Sequence, residues 1–199
     1  MSTITLPAQF APKSFILKQN TSQRVSASPF GGSEQAVDLL NDRWICSVEL
    51  VQNNYENSSY IEAFIAAMRG QVNNVALYHF ARPQPRGTMR GSLTISASAA
   101  QGASSIVVTG GAGQALTTIL RGDMLGVGGL LLMAASDCTA NSSGVITIPI
   151  VNRLRKALSP SDVVTWDKPT ALFRILSANG VEYVAGMTSS VSIDFGEVI

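Results

Sequence analysis

The residues that could do chemistry in this chain gather first in "LRGDMLGVGGLLLMAASDCTANSSGVITIPI", residues 120–150. Arg121-Gly122-Asp123 is the tripeptide that animal integrins read. Gly126, Gly128 and Gly129 form a cluster of the kind that wraps phosphates. A phosphate loop, however, needs glycines that lead from a strand into a helix, whose N-terminus holds the anion. Here the glycines run into "LLLMAA" and "GVITIPI", which pattern as strands, and no Lys-Ser or Lys-Thr follows them. The expectation is a hairpin folded at Gly128-Gly129, with Gly122-Asp123 as the turn entering it and a second turn at Ser143-Gly144. Integrin recognition needs an exposed loop and an extracellular setting, and nothing else in the chain points there.

The remaining reactive groups are sparse. Cys46 and Cys138 are far apart and make no CxxC pair, so they read as reduced, buried thiols. The single histidine, His79, sits in "ALYHFARPQ", where a packed or capping role suits it better than metal ligation. A Ser-His-Asp set would have to use His79, and no G-x-S-x-G elbow is present. Asp38, Asp42, Asp123 and Asp162 stand singly beside turns, where they serve as turn formers. These residues predict no catalytic site, no cofactor and no metal.

Elements must position whatever the chain does use. Phe15, Leu17 and Gln19 alternate with Ile16, Lys18 and Asn20, which suits a strand. A Ser28-Pro29 turn and Gly31-Gly32 follow. Residues 34–51 read as two strands joined at Asn41-Asp42, the second carrying Trp44, Cys46 and Val48 on one face. A helix over residues 59–69 is predicted from a Ser59/Glu62 capping box, an apolar stripe of Ile61, Phe64, Ile65 and Met68, and Gly70 as the stop. "NNVALYHF" is then a strand, ended by Pro83 and Pro85.

After residue 91 the chain turns small, polar and glycine-rich, with strands at 106–108, 124–127, 130–134, 145–150 and 163–166. Such spacing predicts a small barrel or sandwich. Asn179-Gly180 is a strong hairpin signal, expected to join "ALFRILSA" to "VEYVAGM". Val191, Ile193 and Phe195 form a last alternating strand. The fold expected is mainly β: a β-sandwich or barrel domain with one short α-helix, plus a smaller inserted β-barrel-like unit. Residues 1–88 and 169–199 form the first domain and 89–168 the insert.

Composition bounds the function. Charged residues are 14% of the chain against 46% hydrophobic, well under the roughly 25% charge of ordinary soluble domains. Neighbouring subunits would cover such a surface; a weakly charged monomer is the other reading. The net charge of +1 and the lack of a basic stripe leave no footprint for nucleic acid. No apolar run approaches the roughly 20 residues of a membrane helix. Pro7 and Pro12 interrupt any signal-peptide core, so the chain is expected to be made in the cytoplasm.

The order of motifs carries more than any one of them. "QRVSASPFGGSEQAV", "DRWICSVEL" and "IEAFIAAMRGQVNNVALYHFARPQPRGT" together resemble the N-terminal half of tail proteins of tailed phages and prophages, of the distal tail or baseplate hub type. "LRGDMLGVGGLLLMAASDCTANSSGVITIPIVNRLRKALSPSDVVTWDKPTALFRI" resembles the later half, although Val151-Asn152 stands where that pattern has a proline. The resemblance covers about residues 20–176. It implies a structural protein of the virion tail, made in the host bacterium, with no catalytic residue. It implies a ring, usually of six copies, whose partners are the tail tube protein, the baseplate hub and other tail-tip proteins. Another tail ring (tube, terminator or baseplate adaptor) is an alternative, as is a carbohydrate-binding module using Trp166 of the insert. Terminal strands are the expected ring contacts: Phe10, Phe15 and Leu17 near one end, Ile193 and Phe195 near the other. Ile61, Phe64, Ile65 and Met68 are expected to face the helix's own core.

Overall fold

The computed structural model describes residues 2–27, 31–39, 41–51, 54–185 and 187–198. The expected Ser28-Pro29 turn lies outside the described residues. In chain order come β1 (Thr3–Ile4), β2 (Pro12–Asn20), β3 (Gln23–Ala27), β4 (Glu34–Asp38), β5 (Arg43–Leu50), α1 (Tyr55–Ala67) and β6 (Asn74–Leu77). The middle of the chain gives β7 (Leu93–Ala97), β8 (Ser105–Thr109), β9 (Thr118–Ile119), β10 (Met124–Val127), β11 (Leu130–Met133), β12 (Cys138–Thr139), β13 (Val145–Pro149) and β14 (Val163–Thr165). The last stretch gives β15 (Ala171–Ala178), β16 (Tyr183–Val184), β17 (Met187–Thr188) and β18 (Val191–Glu197). The protein is mainly β, with barrel and sheet units and one short α-helix among the described residues.

Two compact units divide the chain. The first is Met1–Lys18, Trp44–Gln84 and Asp167–Ile199; the second is Gln19–Arg43 and Pro85–Trp166. The sequence placed the boundaries at 88/89 and 168/169 and left 19–43 in the first domain. The structure moves the joints by two to four residues and assigns 19–43 to the second unit. The reason is local: Arg153 reaches Asp38 at 3.5 Å, and Arg155 donates to the carbonyl of Asp42 at 3.2 Å.

The first unit is built on a six-stranded sheet in the order β1-β6-β15-β18-β5-β2. β1 runs parallel to β6, while β15 is antiparallel to both β6 and β18, and β18 to β5. Strict alternation in β5 buries Trp44, Cys46, Val48 and Leu50. Val191, Ile193 and Phe195 of β18 and Phe173 and Ile175 of β15 join them on that face. α1 adds Ile61, Phe64 and Met68, while Ile65 is half-buried at the margin. Phe10 lies 5.8 Å from Phe64 and 6.4 Å from Phe195, ring centre to ring centre.

Several expectations are corrected here. The helix begins at Tyr55 rather than Ser59, because the Asn54 side chain accepts from Asn57 N at 2.9 Å and caps it. Ser59 lies inside the helix and donates to the Glu56 carbonyl. The helix closes on Met68, with Arg69 and Gly70 both at positive φ, so the stop falls one residue before the predicted place. Asn179-Gly180 does not fold β15 onto the next segment. β15 finds its partner in β18 instead, with Asn179 N donating to the Ser192 carbonyl, and β16 pairs with β17 as a separate small ribbon. Gly180 is absent from the positive-φ positions that a primed turn would need.

The second unit holds a six-stranded sheet in the order β11-β10-β14-β7-β8-β13. The Gly128-Gly129 turn forms as predicted. Val127 faces Leu130, and both glycines have positive φ, at 56° and 80°, as a type I′ hairpin requires. The sheet curls until its outer strands meet: Ala134 bridges Ile150, and Val151 N donates to the Met133 carbonyl at 2.9 Å. Asn152 finishes the seam. Its Oδ1 accepts from Met133 N at 3.1 Å and its Nδ2 donates to the Leu131 carbonyl at 2.9 Å. A carboxamide can stand in for a missing peptide unit, which a proline could not do on the donor side. Inside are Leu93, Ile95, Val108, Ile119, Leu125, Ile146, Ile148 and Leu154.

Candidate functional site

The chemistry-bearing residues of the sequence are mostly absorbed by the fold. Asp123 is buried, and its carboxylate accepts from Arg86 N at 2.9 Å, Gly87 N at 3.0 Å and Leu120 N at 2.8 Å. Three main-chain donors need an acceptor with several lone pairs, which explains an aspartate there. The Arg-Gly-Asp tripeptide is thus a folded turn whose acid faces inward. The glycine cluster is a strand-to-strand turn with no helix to receive an anion.

His79 stacks edge-on against Phe15 at 5.0 Å, and both of its ring nitrogens face donors of Arg82, the main-chain N at 3.1 Å and the guanidinium at 3.2–3.3 Å. Burial first, and the Arg82 charge second, hold its pKa below the ordinary imidazole value. Burial, then the charge of Asp194, pushes the Cys46 thiol up to about 12, so it is a poor nucleophile. Cys138 is half-buried rather than fully buried as predicted. Trp166 has one ring face under Arg90, 4.9 Å from the guanidinium carbon, and its indole N–H bonds the Gly91 carbonyl at 2.8 Å. Among the described residues no three His, Cys, Asp or Glu side chains gather as a metal site, and no helix is long and apolar enough to cross a membrane.

The expected contact residues separate into two groups. Ile193, Phe195 and Phe10 are buried core residues. Their placement at a subunit edge is corrected, because β18 lies in the middle of its sheet, with β15 and β5 on its two sides. Phe15 and Leu17 sit on β2, which is an edge strand, and both are half-buried there. Ile16, between them, is 57% exposed.

A surface that sequence reasoning missed is the β3–β4 hairpin. All ten of its strand residues are exposed, although five pairs hold it in register from Gln23↔Asp38 to Ala27↔Glu34. Residues directly opposite share a face. Gln23, Val25 and Ala27 therefore share one face with Asp38, Ala36 and Glu34. Arg24 and Ser26 share the other with Val37 and Gln35, and Leu39 continues it, bonded through its N–H to the Ser22 carbonyl. Val25, Val37 and Leu39 are each about half exposed. At the hairpin's root a cleft of about 230 Å³ is lined by Thr21, Ser22, Gln23, Ala36, Val37, Asp38 and Asp42. Asp42 Oδ2 accepts from Gln19 Nε2 at 2.8 Å there, while its buried Oδ1 has no hydrogen-bond partner among the described residues.

A second such surface lies on the helix. An ordinary surface helix turns charged residues to solvent. The exposed side of α1 instead carries Ser59, Tyr60, Ala63, Ala66 and Ala67, and Glu56 and Glu62 are its charged residues. The β16–β17 ribbon extends this surface. Tyr183 Oη donates to Glu62 at 2.7 Å, Tyr55 Oη donates to the Val184 carbonyl at 2.6 Å, and a buried Ser58–Thr188 hydroxyl pair at 2.6 Å fastens the ribbon to the helix. Searches against protein-family models and curated proteins give no match.

Proposed function

We propose that this chain is a non-catalytic structural subunit that works by assembling with copies of itself. Within that class, the reading best supported is a ring of a bacteriophage tail, most simply a hexamer of the distal tail type. Such a ring joins the tail tube to the tail-tip and receptor-binding components.

The observation that carries the proposal is the β3–β4 hairpin. A lone two-stranded ribbon is marginally stable in water. This one buries no strand residue and offers Val25, Val37 and Leu39 to solvent. It is a shape that gains stability when something covers it. The sparse charge of the chain, 14%, and the outer edge of β2 favour the same conclusion, since unpaired strand edges are templates for a neighbour. The order of motifs in the sequence supplies the tail.

Electron microscopy of purified protein and of virions tests it. Rings of constant copy number, and the same ring at the end of the tail tube, are expected. Isolated monomers in the virion, or complete and infectious tails without this protein, would overturn it.

A further inference from the structure

The β3–β4 hairpin and the outer face of α1 are complementary in shape class and in charge. On the hairpin, the face formed by Arg24, Ser26, Gln35, Val37 and Leu39 carries one charged residue, and it is positive. Arg24 makes no ion pair among the described residues. The opposite face carries Glu34 and Asp38, and Asp38 is held by Arg153 within its own unit. On the helix, Tyr55–Ala67 contains Glu56 and Glu62 and no basic residue. Glu62 already receives the Tyr183 hydroxyl, which leaves Glu56 as the carboxylate facing outward beside Tyr60, one helical turn on. Tyr60 is 54% exposed, and the alanines around it present a low, smooth apolar surface.

We propose that the Arg24–Val37–Leu39 face of the hairpin of one copy docks on the Glu56–Tyr60–Ala63–Ala67 face of α1 in the next copy. Val37 and Leu39 lie on the alanine surface, where small residues let a β-ribbon approach closely. Arg24 meets Glu56 and lies against the Tyr60 ring, pairing its charge and its flat guanidinium together. The two surfaces differ, so the contact is head-to-tail. Each copy then gives a hairpin to one neighbour and a helix face to another, and repetition closes a ring or runs on as a filament. This inference rests on the assembly reading above and says which surfaces make it.

A charge swap in the full-length protein tests it. Arg24→Glu and Glu56→Lys, each alone, should raise the concentration of half-assembly by at least about tenfold, the effect of one interface anchor. The double variant should restore assembly. Circular dichroism of each variant verifies that it is folded. If the wild type assembles and both single variants assemble equally well, the docking is wrong and the ring reading survives. A wild type that stays monomeric at every concentration overturns both.

Oxidation of a Val37→Cys, Ala63→Cys variant in a Cys138→Ser background gives a second readout. A ladder extending beyond dimers is expected. Covalent dimers alone, cross-links confined to one chain, or no cross-link in assembled protein would overturn the head-to-tail contact.

Discussion

The two six-stranded sheets of this molecule solve the same problem in different ways. In the barrel unit the outer strands β11 and β13 are brought together, and the Asn152 carboxamide completes the seam. The other sheet stays open, with β1 and β2 as edges and a helix whose outer face is alanine and tyrosine. A closed barrel satisfies its own backbone and needs no neighbour. An open sheet leaves donors and acceptors for another chain. The difference teaches where to look for contacts: on the helix and edge of the open sheet, and on the hairpin, which is the part of the second unit that the barrel does not enclose.

The comparison breaks most visibly at Phe64. Truncation to alanine removes a ring packed against Phe10 and should destabilise the open-sheet unit by about 3–5 kcal/mol, read by denaturant unfolding. Hydrogen exchange should show that loss in β5, β15 and β18 while β8 and β13 keep their protection. The reverse pattern is expected for Asp123→Ala. Three main-chain donors lose their acceptor, which should cost about 3 kcal/mol and appear as exchange in the barrel unit alone.

Asn152→Ala sharpens the comparison by opening the barrel. The change removes both seam bonds, should cost about 2 kcal/mol, and should raise exchange at the Met133 amide first. A seam variant that exchanges no faster there would mean that the strands close without the carboxamide.

Acid should act on the open-sheet unit in two stages. His79 titrates below the ordinary imidazole value of 6.5, so the unfolded chain takes up its proton first as pH falls. Its contribution is complete above that ordinary value and is lost as pH falls through the lower folded value. Hydrogen bonds from Ser47 first and Ser177 second hold Asp194 below the ordinary carboxylate value of 3.8. Its contribution is likewise complete above that value and disappears as pH falls through the folded one. His79→Gln should remove the first stage and Asp194→Asn the second, as monitored by stability against pH. The smallest effect is on reactivity: with its thiol near 12, Cys46 should resist alkylation at pH 8 until the sheet unit unfolds.

Much of the barrel was legible in the sequence because its signals are local. Gly128-Gly129 sets its own turn, and the strands beside it are adjacent in the chain. Asn179-Gly180 carried an equally strong local signal and lost, because β18 offers β15 a longer ladder from further along the chain. The helix stripe was readable at Ile61, Phe64 and Met68, whereas its start was not. Asn54 lies five residues before the apparent capping box, and Ser59 merely bonds back inside the helix. The central place of β18 could not be read from Val191, Ile193 and Phe195, since alternation reports a buried face and not the number of neighbours. The hairpin escaped for a related reason. "EQAVD" was readable as a strand before Asn41-Asp42, but its pairing with "QRVSA" was not, because neither strand has an apolar side to mark a shared face.

The position of β18 also fixes an order of events during synthesis. The central strand of the open sheet, Val191–Glu197, leaves the ribosome after every other strand of that sheet. The strands of the barrel, from Leu93 to Thr165, are complete some 26 residues earlier, before Val191 is made. β15 is complete at Ala178, so at roughly 5–20 residues per second β5 and β15 wait about one to three seconds without the strand that lies between them. Chains truncated after residue 185 and released from the ribosome should therefore carry a protease-resistant barrel and a protease-sensitive sheet. The sheet that α1 packs on thus gains its central strand only after all its other strands have been made.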